Sequence, residues 1–157
     1  MNHTPLEVRA VLLPVHNGQL LLPNISVADV AGFRDSTELP GSPDWLLGMI
    51  SWRWQEIPLV CFDTLVGMPP DKKTGIRARI AICYTLSGNT KRPFIGILTQ
   101  SVPHLTRAEE GAIESEVEPL ELGDGVIQQV RVNGEKAWIP NLDVIESMID
   151  AELDSAE

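Results

Sequence analysis

Residues 48–62, Gly48-Met-Ile-Ser-Trp-Arg-Trp-Gln-Glu-Ile-Pro-Leu-Val-Cys-Phe62, decide how the chain is read. Two apolar runs of strand length flank a polar step, and two of the four tryptophans sit either side of Arg53. Strand alternation predicts Ile50, Trp52 and Trp54 on one face and Ser51, Arg53 and Gln55 on the other. Trp52 then anchors a core, and Arg53 is offered outward from a rigid base. Such an arginine is either a partner contact or an ordinary surface charge worth at most about 1 kcal/mol in a local ion pair.

Working outward, the chain reads as many short strands. Glu7 to Val15 leads through Asn17-Gly18, a pair that readily takes positive φ, into Gln19 to Leu22. Ile25 to Val30 reads as a further strand or edge segment, with Ile25, Val27 and Asp29 on one face. Ser42-Pro43-Asp44 supplies a cap, a first-turn proline and an acid, predicting a short helix at Trp45–Leu47 ended by Gly48. Met68 to Gly75 is the clearest break. Beyond it, strands are expected over Arg77 to Leu86 and Phe94 to Val102, then a capping box from Thr106 to Glu109, then a hairpin around Asn133-Gly134. From Asn141 onward, Leu142, Ile145, Met148, Ile149 and Leu153 recur at helical spacing, so a C-terminal helix is expected to cover the protein's own core rather than a partner. Many strands without long intervening helices argue for small barrels instead of a parallel sheet.

The 157 residues are about one domain's worth. Twelve Lys and Arg against twenty-two Asp and Glu give a net charge of −10, the wrong sign for an extended nucleic-acid or anionic-membrane footprint. A single-stranded nucleic-acid barrel would interleave aromatics with basic residues, which only Trp52-Arg53-Trp54 hints at. The N-terminal stretch lacks the pattern of a secretion signal and no apolar run reaches spanning length, which predicts a cytoplasmic protein without direct membrane insertion. Cys61 and Cys83 lie in apolar runs and read as small buried hydrophobes. His3, His16 and His104 lie far apart and no metal-ligand spacing, phosphate-binding loop or nucleophile elbow is present, so neither metal, cofactor nor catalytic residue is assigned. The acidic stretch from Glu109 to Glu121, with Asp143 and Glu146, reads as solvated surface. A small enzyme or ligand-binding β-barrel without a recognisable motif is the alternative to a binding protein.

The stretch from Leu39 to Val60 resembles the CheW-type coupling proteins of bacterial chemosensory systems. Their pattern is a Leu-Pro, a short helix after proline, Gly-Val-Ile-Asn-Leu-Arg-Gly and a Val-Pro-Val-Val strand. Two further stretches are similar in the same order: Phe94 to Val102, and Ile139 to Ile145. The likeness runs from about Val8 to Ile149. It implies two packed five-stranded SH3-like barrels with short helices and a C-terminal helix, mainly β. One domain would span 1–157, with sub-barrels near 8–68 and 76–140 and the helix at 141–153. It also implies an adaptor, not an enzyme, joining a chemoreceptor tip to the regulatory domain of a CheA-type histidine kinase. Val27, Asp29 and Val30 align with the element lining the receptor groove, although both valines are equally readable as core, and Arg53 matches the motif arginine. Trp54 replaces the motif glycine. That glycine implies a turn or bulge which would expose the indole and make Trp54 an interface anchor. Cys61 replaces an aspartate and Asp29 a glutamate, departures that point to a divergent pathway such as control of pilus-driven surface motility.

Overall fold

Period-two apolar patterning forms eleven strands within residues 8–68, 75–87, 91–108 and 113–155, the parts of the chain that the computed structural model describes. The first hairpin is β1 (Val8–Val15) with β2 (Gly18–Pro23), and a 3-10 turn at Asn24–Ser26 leads to β3 (Val27–Gly32). A second hairpin pairs β4 (Leu46–Trp52) with β5 (Gln55–Val60), followed by one helical turn, α1 (Phe62–Leu65). A third pairs β6 (Arg79–Tyr84) with β7 (Phe94–Thr99). Then come β8 (His104–Ala108), β9 (Ile113–Ser115), β10 (Val126–Val132), β11 (Glu135–Pro140) and the helix α2 (Leu142–Ser155).

The strands make one six-stranded sheet, β8-β1-β2-β11-β10-β9, and one five-stranded sheet, β3-β6-β7-β5-β4. Each is built the same way: two hairpins joined by a parallel pair, β2 with β11 in one and β5 with β7 in the other. The architecture is mainly β as expected, but the expected division at 68–76 does not describe the sheets. β1 and β2 join the C-terminal strands, and β5 and β6, on either side of the break, share one sheet, because the parallel pairings join strands distant in sequence. Residues 69–74 of that break lie outside the described parts.

Three apolar clusters follow. Ile50, Trp52, Ile57, Ile80, Ile82 and Leu98 fill the inside of the five-stranded sheet, and Ala10, Leu21, Val130, Val132 and Ala137 that of the other. The largest cluster lies between the sheets, where Leu13, Leu20, Phe62, Ala81, Cys83, Ile95 and Ile97 meet Leu142, Ile145 and Ile149 of α2. The helix stripe therefore covers the protein's own core, with Asn141 as its cap: the Asn141 side-chain oxygen accepts the Val144 N–H at 3.2 Å. Cys61 and Cys83 are buried free thiols, and burial pushes the Cys83 thiol up to about 12, which leaves it unreactive.

Four local expectations are corrected. Trp45–Leu47 is not a helix: Trp45 lies in a turn and Leu46 opens β4, where Leu46, Ile50 and Trp52 are buried on one side. Edge pairing with β5 wins over the cap signal because a bulge at Leu46/Gly48 puts Gly48 at φ 140, where any Cβ would collide with the Thr37 carbonyl. Thr106 lies in β8 paired to Ala10, not at a helix cap, and Glu109 lies outside the described residues. In the first hairpin the turn residues are His16 and Asn17, without positive φ at Asn17 or Gly18. Glu146 is not an exposed helix charge but is 4% exposed; it accepts the Leu86 and Ser87 N–H groups at 3.2 and 3.4 Å and a short hydrogen bond from the Ser87 hydroxyl. Arg92, bridging Asp150 and Asp154 at 2.8 Å each, ties the same loop to α2.

A second buried carboxylate explains the first hairpin's turn. Asp63, 1% exposed, accepts the N–H groups of His16 and Asn17 at 3.1 and 3.0 Å and the Asn17 side-chain amide at 2.8 Å. It closes the turn that Asn-Gly geometry would otherwise have closed. Asp63→Ala strands these donors and should cost about 2–4 kcal/mol in urea denaturation, with Asp63→Asn losing less because one oxygen remains. A loss below about 1 kcal/mol for the alanine variant would show that the carboxylate does not hold this corner.

Candidate partner-binding surface

Trp52 and Gln55 are the last paired residues of the β4–β5 hairpin, leaving Arg53 and Trp54 as a two-residue turn. Their φ angles are 43° and 65°, the left-handed pair of a type I′ turn. Sequence alternation thus holds as far as Trp52 and stops there; Trp54 leaves the face of Ile50 and Trp52 and is fully exposed, at 102%. This turn favours Asn-Gly, which the chain uses at Asn133-Gly134 with φ 51° and 84°. Left-handed backbone costs about 1–2 kcal/mol for each residue that carries a Cβ. Arg-Trp is therefore a strained choice for this corner.

Beneath the turn is a rigid base. Trp52 is 5% exposed, and its indole N–H donates to the Asp29 carboxylate at 3.0 Å. The other Asp29 oxygen accepts the Val30 N–H at 2.9 Å. The Arg53 guanidinium lies 4.7 Å above the Trp52 ring and 3.9 Å from Asp29. Phe94 meets Trp52 edge to face at 4.9 Å. Because β3 and β4 are the two edges of the five-stranded sheet, the Asp29–Trp52 bond draws those edges together, helped by Arg34, which donates to the Ser51 carbonyl at 2.7 Å.

The structure thus joins Asp29 and Arg53, two of the residues singled out from sequence, through Trp52. On β3, a bulge between Val27 and Asp29 breaks simple alternation, and Ile25 falls in the preceding 3-10 turn. Val27 is half-buried against the core between the sheets, whereas Val30 is exposed. Both line a shallow groove of about 280 Å³ whose opposite wall is Val102, Pro103 and Leu105, leading into and along β8 of the other sheet. Val102 and Leu105 are largely exposed apolar side chains. Sequence reading passed over them because the strand expected to end at Val102 hid the crossing from one sheet to the other.

The chain matches the family described as CheW-like domain over residues 9–151. It belongs to the CheW-like family. Its fold is similar to that of the scaffolding protein TtCheW from Thermoanaerobacter tengcongensis, with a TM-score of 0.70 at 17% identity, covering 87% of this chain and 90% of that one. No curated protein matches the sequence. In this CheW-like chain, no helix among the described residues is long and apolar enough to cross a membrane.

The link from Asp29 to Trp52 is measurable. In a double-mutant cycle of Asp29→Ala with Trp52→Phe, the coupling energy should be about 1 kcal/mol, the net worth of one charge-assisted bond at a partly exposed carboxylate. Additivity within about 0.3 kcal/mol would mean that the sheet edges close without it.

Proposed function

We propose that this CheW-like chain is a non-catalytic adaptor that holds a chemoreceptor tip against the regulatory domain of a CheA-type histidine kinase, on the cytoplasmic side of the membrane. The observation that carries this reading is the apolar groove between the two sheets, bounded by Val27, Val30, Val102 and Leu105 and flanked by the Asp29–Trp52–Arg53 assembly. A partner helix suits such a groove: its apolar stripe lies along the valines and a basic residue meets Asp29. Arg53 and Trp54 extend the contact at the hairpin tip. The alternative of a ligand-binding barrel is disfavoured by the side chains that fill the inside of each sheet. The departures at Cys61 and Trp54 favour a divergent pathway, with pilus-driven motility as its proposed output.

Transient signalling interfaces of this kind bury on the order of 1,200 Å² and bind near micromolar affinity. Size-exclusion and titration with the purified kinases and receptor-tip fragments of the source genome should therefore yield a complex at tens of micromolar, and none with any of them would sink the proposal. Val30→Glu should weaken receptor binding at least tenfold, about 1.4 kcal/mol, with the melting temperature within a few degrees of the parent. Val27→Glu should instead lower stability, because Val27 leans on the core between the sheets. Receptor affinity unchanged by Val30→Glu would place the receptor elsewhere.

A further inference from the structure

We infer that Trp54 is a specificity residue: the turn carries an indole, at the expense of its own backbone preference, to enter an apolar recess on the receptor partner, with Arg53 meeting a carboxylate at the rim. The inference rests on the adaptor reading and adds to it which partner the adaptor selects.

Three independent observations converge on this turn. The first is strain: both residues sit at left-handed φ, where glycine or asparagine is favoured and where the Asn133-Gly134 turn of this same chain follows the preference. Backbone geometry therefore argues against Arg-Trp here, and what the pair supplies must lie in its side chains. The second is exposure. Trp45 is half-buried and Trp52 and Trp138 are buried, but Trp54 is fully exposed. The third is preorganisation. Arg53 is stacked on Trp52, which is itself bonded to Asp29, so the turn is presented from a fixed base and Arg53 is partly held before a partner arrives.

The partner's chemistry follows from the tip's own. A rigid indole needs a recess of matching size lined by apolar side chains, and tryptophan and arginine are both enriched at binding hot spots. Arg53 is 67% exposed at the side chain and is a positive group on a chain of net charge −10. A carboxylate at the recess rim complements that cation, while the remaining acidic surface repels acidic partners that lack the recess. A receptor with a bulky residue in place of the recess would clash with Trp54. The tip thus discriminates by exclusion as well as by attraction.

The test uses the whole chain, its Trp54→Gly variant and purified tip fragments of every chemoreceptor in the source genome, with the kinase as a second probe. In the free protein, acrylamide should quench a tryptophan component that Trp54→Gly removes. A selected receptor fragment should shield that component, and Trp54→Gly should weaken binding to it at least tenfold while narrowing the difference among receptors. The same variant should melt higher, by about 2–4 °C, because glycine relieves the turn. A protein more stable yet less selective is the expected signature. Shielding by the kinase and not by any receptor would overturn the partner assignment. Unchanged affinities and persistent quenching in a complex that does form would overturn the inference while leaving the adaptor reading intact. Absence of any complex for the parent chain would remove both.

Discussion

The apolar layer shared by the two sheets is the constraint on which the rest of the molecule depends. β6 and β7 are buried on both faces: Ile80, Ile82 and Leu98 point into the five-stranded sheet's interior, while Ala81, Cys83, Ile95 and Ile97 point toward the other sheet. Such strands cannot show the polar-out alternation of a half-exposed sheet, and the runs of Ile, Ala and Cys are the result. α2 closes the layer by adding Leu142, Ile145 and Ile149. Each such side chain is worth about 1.5–3 kcal/mol on full burial, so the helix is part of the core and not an appendage.

With the interior satisfied in this way, the loops are fixed by a small number of buried carboxylates. Asp63 gathers the first hairpin's turn, and Glu146 gathers the chain after β6. Asp63 accepts three N–H groups, and Glu146 two N–H groups and a hydroxyl, so hydrogen bonds compensate the burial of both. Asp29 works differently. It is partly exposed, and it accepts both the Val30 N–H and the Trp52 indole N–H, the latter reaching across from the opposite edge strand, which places it between structural closure of the sheet and the surface that a partner meets.

The β4–β5 turn stands apart from all of this. Strand pairing ends at Trp52–Gln55, the Trp54 side chain beyond it is fully exposed, and yet side chains ill suited to the geometry occupy the turn. Local preference and observed residue agree at most places in this chain, including Asn133-Gly134. Where they disagree, function is the usual reason, because folding alone would have selected against the choice.

From the sequence alone, the strand-rich architecture, the C-terminal helix with its Asn141 cap, the burial of both cysteines and the membership of the CheW-like family were all legible. Each is written in local periodicity or in an ordered run of residues. Trp52 as an anchor was legible for the same reason. What only the tertiary structure decided depends on contacts between distant residues. The parallel pairings carry β1 and β2 to the C-terminal strands, the bulges at Gly48 and Val27 break alternation, and Glu146 and Asp63 are carried inside by loops that bring donors to them. Trp54 shows the boundary between the two. Period-two patterning placed it with Trp52, the resemblance to a glycine position placed it in a turn, and the hairpin register decided in favour of the turn.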